Sequence, residues 1–99
     1  MTHEQMIKII QKAVDKYGEK QLDIAQEELA ELIQAISKYK RAITSDECDK
    51  ALKSVFEELA DVLIMSMQIE MLFPFESYSL LRNMVEYKLR RLDKRMENE

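Results

Sequence analysis

Two acidic hexapeptides, EELAEL at residues 27–32 and EELADV at residues 57–62, lie thirty positions apart in a chain of 99 residues. Each belongs to a longer stretch, because QLDIAQEELAELI (21–33) aligns without gaps with ALKSVFEELADVL (51–63) and shares acids at three positions. Two copies are too few for a solenoid, which needs three or more repeats. They suit an antiparallel pair of helices with approximate twofold symmetry, in which equivalent positions near the crossing point face each other.

The composition favours helices along the whole chain. There is one Gly, one Pro and no Trp, while 46% of the residues are hydrophobic, so few residues interrupt a helix. No stretch alternates apolar and polar residues between turn signals, as a strand would. A length of 99 residues corresponds to about one domain. The sequence therefore predicts a single all-α domain over residues 1–99.

The net charge and the cysteine content indicate which partners and which cell compartment to expect. A net charge of −4 argues against binding of nucleic-acid polymers through the whole surface. The single cysteine, Cys48, has no partner for an internal disulfide and suits a reducing cytoplasm. The first residues, MTHEQMIKII, lack the apolar core of a signal peptide, and no apolar run is long enough to span a bilayer. We therefore expect a cytoplasmic protein that binds neither membranes nor nucleic-acid polymers.

Hydrophobic periodicity and capping signals predict four helical segments. Gly18 stands where the first helix is expected to end, and Thr44 with Glu47 forms a capping-box signal for the third. Pro74 is expected to end the third helix, because proline cannot extend the hydrogen-bond ladder. Short connections between long helices favour antiparallel neighbours, hence a four-helix array. The segments are predicted at about 3–17, 20–41, 45–72 and 77–96.

The acids of the two hexapeptides share helical lanes with apolar residues. The lane on the second helix holds Ile24, Glu28, Glu31 and Ala35, and the lane on the third holds Glu58, Asp61, Met65 and Leu72. A separate, main apolar face holds Leu29, Ile33 and Ile36 on the second helix, and Leu52, Leu59 and Leu63 on the third. Residues 59–72 are apolar almost all round, which is typical of a central or interface helix. The acidic lanes are therefore predicted to form a partly buried strip that faces another element.

Acids placed three residues apart on two facing helices can converge within a few ångströms and would repel one another. A divalent cation with oxygen ligands is the simplest remedy, and Mg²⁺ also bridges to substrate phosphates. A di-iron carboxylate bundle would need a Glu-x-x-His pair from each of two helices, but the one histidine is His3. One Cys and one His far apart in sequence also disfavour zinc. No P-loop, GxSxG or GxGxxG motif is present.

The pattern EExxE, a spacer and then ExxD resembles the motif of the MazG-like all-α nucleoside triphosphate pyrophosphohydrolases. Here it reads Glu27-Glu28-Leu29-Ala30-Glu31 and then Glu58-Leu59-Ala60-Asp61, and the resemblance covers roughly residues 20–92. The resemblance implies a four-helix MazG-like array that assembles as a helical-bundle oligomer, a dimer or a tetramer. It also implies hydrolysis of (d)NTPs to monophosphate and pyrophosphate with Mg²⁺, for which Mn²⁺ is a possible substitute.

If the roles of the motif residues in this family apply here, the metal ligands would be Glu28, Glu31, Glu58 and Asp61. Glu27 matches the first acid of the motif and would complete the catalytic set, either in the outer sphere of the metal or by orienting water. The proposed substrate contacts are Lys38, Asn83, Tyr87, Lys88 and Arg91. Cations for the substrate phosphates are expected from one of two basic groups, Lys38 with Lys40 and Arg41, or Lys88 with Arg91 and Arg95. Both groups lie near helix C-termini, where positive charge stabilises the helix dipole without any ligand.

Three functions remain open at this point. The first is a Mg²⁺-dependent NTP pyrophosphohydrolase that removes non-canonical nucleotides or controls a nucleotide pool. The second is a relative with a narrow substrate, such as phosphoribosyl-ATP or dCTP. The third is a non-enzymatic helical interaction module whose acidic strip receives a basic partner, since glutamate-rich motifs are also ordinary solvated helix sequence.

Overall fold

The computed structural model describes all residues from 1 to 99, and it contains helices and no strands. The helices are α1 (His3–Tyr17), α2 (Gln21–Arg41), α3 (Ser45–Leu72), α4 (Pro74–Glu76) and α5 (Arg82–Glu97). A 3₁₀ turn, Gly18–Lys20, joins α1 to α2, and a π-helical turn, Ser77–Leu81, joins α4 to α5. The all-α prediction is confirmed. No helix is both long enough and apolar enough to cross a membrane.

The helix ends follow the local signals of the sequence. Gly18 has φ +60° and its N–H donates to the carbonyl of Val14, which closes α1 with a residue that tolerates positive φ. Thr44 and Glu47 form the predicted capping box at the start of α3: the Glu47 N–H donates to Thr44 Oγ1 at 3.1 Å. The Glu47 carboxylate accepts in return from the N–H of Thr44 at 3.4 Å and from the N–H of Ile43 at 3.0 Å, and these two backbone donors lower its pKa.

The Thr44 cap gives a prediction about stability. We expect Thr44→Ala to lower the free energy of unfolding by about 1 kcal/mol, because the N–H of Glu47 loses its acceptor. Urea unfolding followed by circular dichroism measures the change. Thr44→Ser, which keeps the hydroxyl, is the matched control and should stay close to the wild type.

A corner between α3 and α4 redirects the C-terminal part of the chain. Phe73 leaves helical geometry with φ −128° and ψ 65°, and Pro74 follows as the first residue of α4, as expected from the proline. Ser77 Oγ donates to the carbonyl oxygens of Glu70 at 3.1 Å and Pro74 at 3.2 Å. These bonds tie the turn after the corner back to the end of α3.

Three helices, not four, pack against one another. Helices α2 and α3 form the main pair, and α1 packs against α3. The pair is antiparallel, because Gln21 at the start of α2 donates to Gln68 near the end of α3. Helix α5 does not join this group: only its first turns lie beside the end of α3, near Glu70, and every residue from 78 to 99 is exposed. The predicted four-helix array is therefore wrong for the single chain, since the corner at Phe73 carries the last segment away from the other helices.

The single chain buries little of its apolar surface. Its buried residues are Ile10, Ala25, Ala35, Ala51, Met65 and Gln68. The main apolar face of the α2–α3 pair stays open, with Ile33 66% exposed and Leu63 58% exposed. The accessible surface is 8410 Å², whereas a compact monomer of 11.7 kDa is expected to expose about 5,900 Å². The radius of gyration, 16.8 Å, likewise exceeds the value of about 13 Å expected for this length.

Candidate metal centre

The register of the α2–α3 pair brings the two hexapeptides together. Gln21 Nε2 donates to Gln68 Oε1 at 2.7 Å across the two helices. Seven residues further along α2 and seven residues back along α3, this register places Glu28 opposite Asp61. Three more residues along α2, and three more back along α3, Glu31 lies opposite Glu58. The alignment of the hexapeptides matches Glu28 with Glu58, and Glu31 with Asp61. Exchanging each residue for its counterpart in the other copy therefore turns the first pair into the second.

Three of the predicted ligands converge at this point of the seam. Glu28, Glu31 and Glu58 each present one carboxylate oxygen, and the three oxygens lie within 4.8 Å of one another. Glu28 and Glu58 are half-buried between the helices, while Glu31 is exposed at the edge. Of the four acids of the predicted strip, two are thus partly buried, whereas Glu31 and Asp61 are exposed.

The fourth acid, Asp61, lies close enough to act on both half-buried glutamates. Burial raises the pKa of Glu28, and the charges of Asp61 and Glu31 raise it further. Burial also raises the pKa of Glu58, with further contributions from a hydrogen bond to Glu31 and from the charges of Glu31, Asp61 and Glu57. These directions indicate one crowded group of like charges that draws on both helices.

The chain supplies no positive charge to this group. Oε2 of Glu28 and Oε2 of Glu58 are shielded from solvent and have no hydrogen-bond partner. The two ion pairs of the chain lie elsewhere, between Lys8 and Glu4 and between Arg90 and Glu86. A buried carboxylate oxygen without a partner is unfavourable, so the seam favours a bound cation or protonation.

The oxygen donors fit Mg²⁺ or Mn²⁺ better than softer metals. Carboxylates are the ligands that these hard cations use, and neither His3 nor Cys48 belongs to the group. Two oxygens bound to one Mg²⁺ at about 2.1 Å lie at most about 4.2 Å apart. Because the three oxygens already lie within 4.8 Å, side-chain movements below one ångström bring them into range. The exposed edge leaves room for water and phosphate oxygens.

The remaining predicted site residues lie at varying distances from the acids. Glu27 is exposed on α2 beside the cluster. Lys38 lines a cavity of about 370 Å³ with Arg41 and Lys50, at the end of the pair where α2 leads into α3. The other four predicted contacts are exposed on α5, which does not pack against the seam: Asn83, Tyr87, Lys88 and Arg91. Within one chain the structure therefore brings the acids together but not the basic residues of α5.

Sequence reasoning missed the glutamine pair that sets the register. Gln68 is buried and its side chain contacts both Gln21 and the sulfur of Met65. A signal existed, because Gln68 is one of four polar residues in the apolar stretch 59–72. A buried side-chain amide needs a partner, and the start of α2 provides one.

Comparison of the chain with protein-family models finds no match, and no curated protein or solved structure matches it significantly. The MazG-like resemblance thus depends on the acid motif and on its spacing, and the proposal that follows combines them with the geometry of the seam.

The raised pKa values predict how stability changes with pH when no metal is bound. Glu28 and Glu58 hold protons more tightly in the fold than in the unfolded chain, where the pKa is about 4.5. Stability should therefore increase as the pH falls from neutral towards about 5 and decrease as the pH rises through the folded pKa. The lowered pKa of Glu47 has the opposite effect, because the stability that this carboxylate contributes is lost on protonation. That loss begins only when the pH falls below the pKa of about 4.5 in the unfolded chain.

Thermal melting in EDTA at pH 5.5 and pH 7.5 measures this trend. The double variant Glu28→Gln/Glu58→Gln should lose most of the difference between the two melting temperatures. Glu70→Gln, at an exposed position on the same helix twelve residues from Glu58, is the control and should keep it. A double variant with the pH dependence of the wild type would show that other groups carry it.

Proposed function

We propose that this protein is a Mg²⁺-dependent, MazG-like nucleoside triphosphate pyrophosphohydrolase that converts (d)NTPs to monophosphate and pyrophosphate. The observation that carries the proposal is the convergence of Glu28, Glu31 and Glu58 within 4.8 Å on two helices. Their order in the sequence, together with Asp61, matches the motif of the family that the chain resembles. Glu28 and Glu58 are half-buried and each has a shielded, unpaired carboxylate oxygen, which a cation or a proton would offset.

The proposed reaction uses water as the nucleophile and no covalent intermediate on the protein. The oxygen of water bonds to the α-phosphorus, the bond from that phosphorus to the bridging oxygen breaks, and pyrophosphate leaves. Bound Mg²⁺ would supply charge neutralisation on the phosphates and a more acidic water. Glu28, Glu31, Glu58 and Asp61 would hold the metal. Glu27, exposed beside them, would act in the outer sphere of the metal or orient the water.

The proposed assembly is a dimer or a tetramer in which helices of different copies complete the helical bundle. One chain provides three packed helices and leaves Leu63 and Ile33 exposed. A second copy would supply the missing part of the four-helix array that the resemblance implies. The proposed location is the cytoplasm, where nucleoside triphosphates are available, and the proposed role is removal of non-canonical nucleotides or control of a nucleotide pool.

Product analysis tests the reaction. Incubation with Mg²⁺ and a panel of canonical NTPs, damaged NTPs and phosphoribosyl-ATP should yield monophosphate and pyrophosphate on anion-exchange chromatography, with no product in EDTA. Mn²⁺ should replace Mg²⁺. Diphosphate and orthophosphate as products would contradict attack at the α-phosphorus. If phosphoribosyl-ATP or dCTP alone is cleaved, the protein is the narrow-substrate relative.

A second candidate function is a helical interaction module whose acidic strip receives a basic partner. The observation that favours it is the absence of any cationic side chain paired with the four acids within the chain. It predicts neither saturable Mg²⁺ binding nor pyrophosphate release. The same product analysis therefore separates the two functions.

A further inference from the structure

A basic cavity lies at the end of the α2–α3 pair, where α2 leads into α3. Its volume is about 370 Å³, and it is lined by Lys38 and Arg41 near the end of α2 and by Lys50 near the start of α3. None of these three cations belongs to an ion pair. The helix dipole favours positive charge at the end of α2, but it gives Lys50 no such benefit near the start of α3. Helix stability alone therefore does not explain the group.

The one acid that lines this cavity is already engaged. The Glu47 carboxylate accepts from the N–H groups of Ile43 and Thr44, which hold it at the cap of α3. It forms no ion pair with any of the three cations. The other residues that line the cavity are small: Ala42, Ala51 and Ser54. The cavity thus has an excess of positive charge in a chain whose net charge is −4.

The cavity lies on the same seam as the acidic group. Lys38 follows Glu31 by seven residues, almost two helical turns, so it lies on the same face of α2 about 10.5 Å further along. Lys50 precedes Glu58 by eight residues on the antiparallel helix α3, about 12 Å in the same direction. Each lysine carries its charge on a flexible four-carbon stem. The seam therefore has carboxylates in its middle and cations at this end.

A ligand with several linked phosphates matches this arrangement. In the proposed reaction the α-phosphate lies at the acids, so the β- and γ-phosphates need positive groups further along. Ammonium and guanidinium groups bind phosphate oxygens through charge-assisted hydrogen bonds. The opposite end of the seam instead carries the neutral amides of Gln21 and Gln68, which bond to each other. The charges of the seam thus give a bound triphosphate a direction, towards the turn between α2 and α3.

We propose that Lys38, Arg41 and Lys50 form a polyphosphate-binding site, which takes the terminal phosphates of a nucleotide whose α-phosphate lies at the acidic group of the same chain. The nucleoside then lies on the side of the acids away from the cavity. The nucleotide part rests on the function proposed above. Binding of an inorganic polyphosphate in the cavity does not depend on it.

Titration of metal-free protein with inorganic tripolyphosphate tests the cavity without any assay of activity. At physiological salt the Debye length is about 8 Å, so the more distant acids should not prevent binding. We expect saturable binding in calorimetry and shifted ¹⁵N-amide signals around Ala42 and Ala51. No saturable binding by the wild type, or shifts confined to α5, would overturn the proposal.

Two triple variants show whether the three cations carry this binding. Lys38→Gln/Arg41→Gln/Lys50→Gln should bind tripolyphosphate at least about tenfold more weakly, because charge-assisted hydrogen bonds are lost. Lys12→Gln/Lys16→Gln/Lys20→Gln removes as many charges at exposed positions outside the cavity and should bind like the wild type. Equal losses in both variants would reduce the effect to net charge and overturn the site.

A pair of nucleotides tests the direction of the substrate. With Mg²⁺, the non-hydrolysable α,β-methylene analogue of the triphosphate that is cleaved fastest should bind more tightly than the corresponding monophosphate. The cavity variant should lose most of this gain, and the control variant should keep it. A cavity variant that keeps the gain would overturn the assigned direction. A wild type that cleaves no nucleotide would remove the proposed function and the nucleotide part with it, while the tripolyphosphate titration still decides the cavity.

Discussion

Glu31→Gln and Asp61→Asn are expected to abolish pyrophosphate release, although the two residues lie on different helices. Each change keeps the size of the side chain and removes one charge from the acidic group. The expected loss is on the order of a hundredfold or more, because changes one shell further from a metal already cost 10- to 100-fold. Chromatographic assay of the products at saturating nucleotide and millimolar Mg²⁺ measures it.

The same variants should lose their response to Mg²⁺ in thermal melting. The wild type should gain about 1.4 to 2.7 kcal/mol when Mg²⁺ is present at 10 to 100 times its dissociation constant. Without metal, both variants should be as stable as the wild type or more stable, because repulsion within the acidic group falls. Glu57→Gln is the matched control, since Glu57 is exposed and lies next to Glu58 in the same helix. Four similar melting curves that ignore Mg²⁺ would favour the interaction module.

The second large effect is expected from Leu63→Asp. Leu63 lies on the open apolar face of α3 and is 58% exposed in the single chain, so a charge there costs little unless a partner covers it. We expect the wild type to be a dimer or a tetramer and Leu63→Asp to be a monomer with a much lower melting temperature, because a charge cannot be buried at that interface without a partner. Light scattering at micromolar concentration measures the mass.

Lys53→Asp provides the control for this prediction. Lys53 is exposed on the same helix, outside the main apolar face, so that variant should keep the mass of the wild type. A wild type that is a stable monomer at micromolar concentration would contradict the account of the exposed surface. A Leu63→Asp variant with the mass of the wild type would show that this face is not the interface.

Local sequence signals predicted most of the fold. The end of α1 at Gly18, the capping box of Thr44 with Glu47, and the corner at Pro74 all lie where expected, because each depends on residues only a few positions apart. The packing of the last segment was not predictable in the same way. Its helical periodicity indicated a helix with an apolar face, but periodicity does not say whether the covering surface belongs to the same chain.

The sequence predicted the acids of the candidate site but not the residues that surround them. The two copies of the hexapeptide predicted that Glu28, Glu31, Glu58 and Asp61 would meet across a pair of helices, and the first three have carboxylate oxygens within 4.8 Å of one another. The seam itself contains small residues such as Ala25 and Ala51, while the larger side chains of the main apolar face stay exposed. Small residues let two helices approach closely. A reading of hydrophobic periodicity gives more weight to large apolar residues, so it did not indicate that the two helices meet through alanines.

Binding of Mn²⁺ to the metal-free protein, followed by electron paramagnetic resonance, tests most directly whether the two hexapeptides form one metal site. Free Mn²⁺ is measured during titration of the wild type, Glu31→Gln, Asp61→Asn and Glu57→Gln. We predict saturable binding to the wild type and to Glu57→Gln, and at least about tenfold weaker binding to the other two variants. Equal binding by all four proteins, or no saturable binding by the wild type, would contradict a metal centre built from both helices.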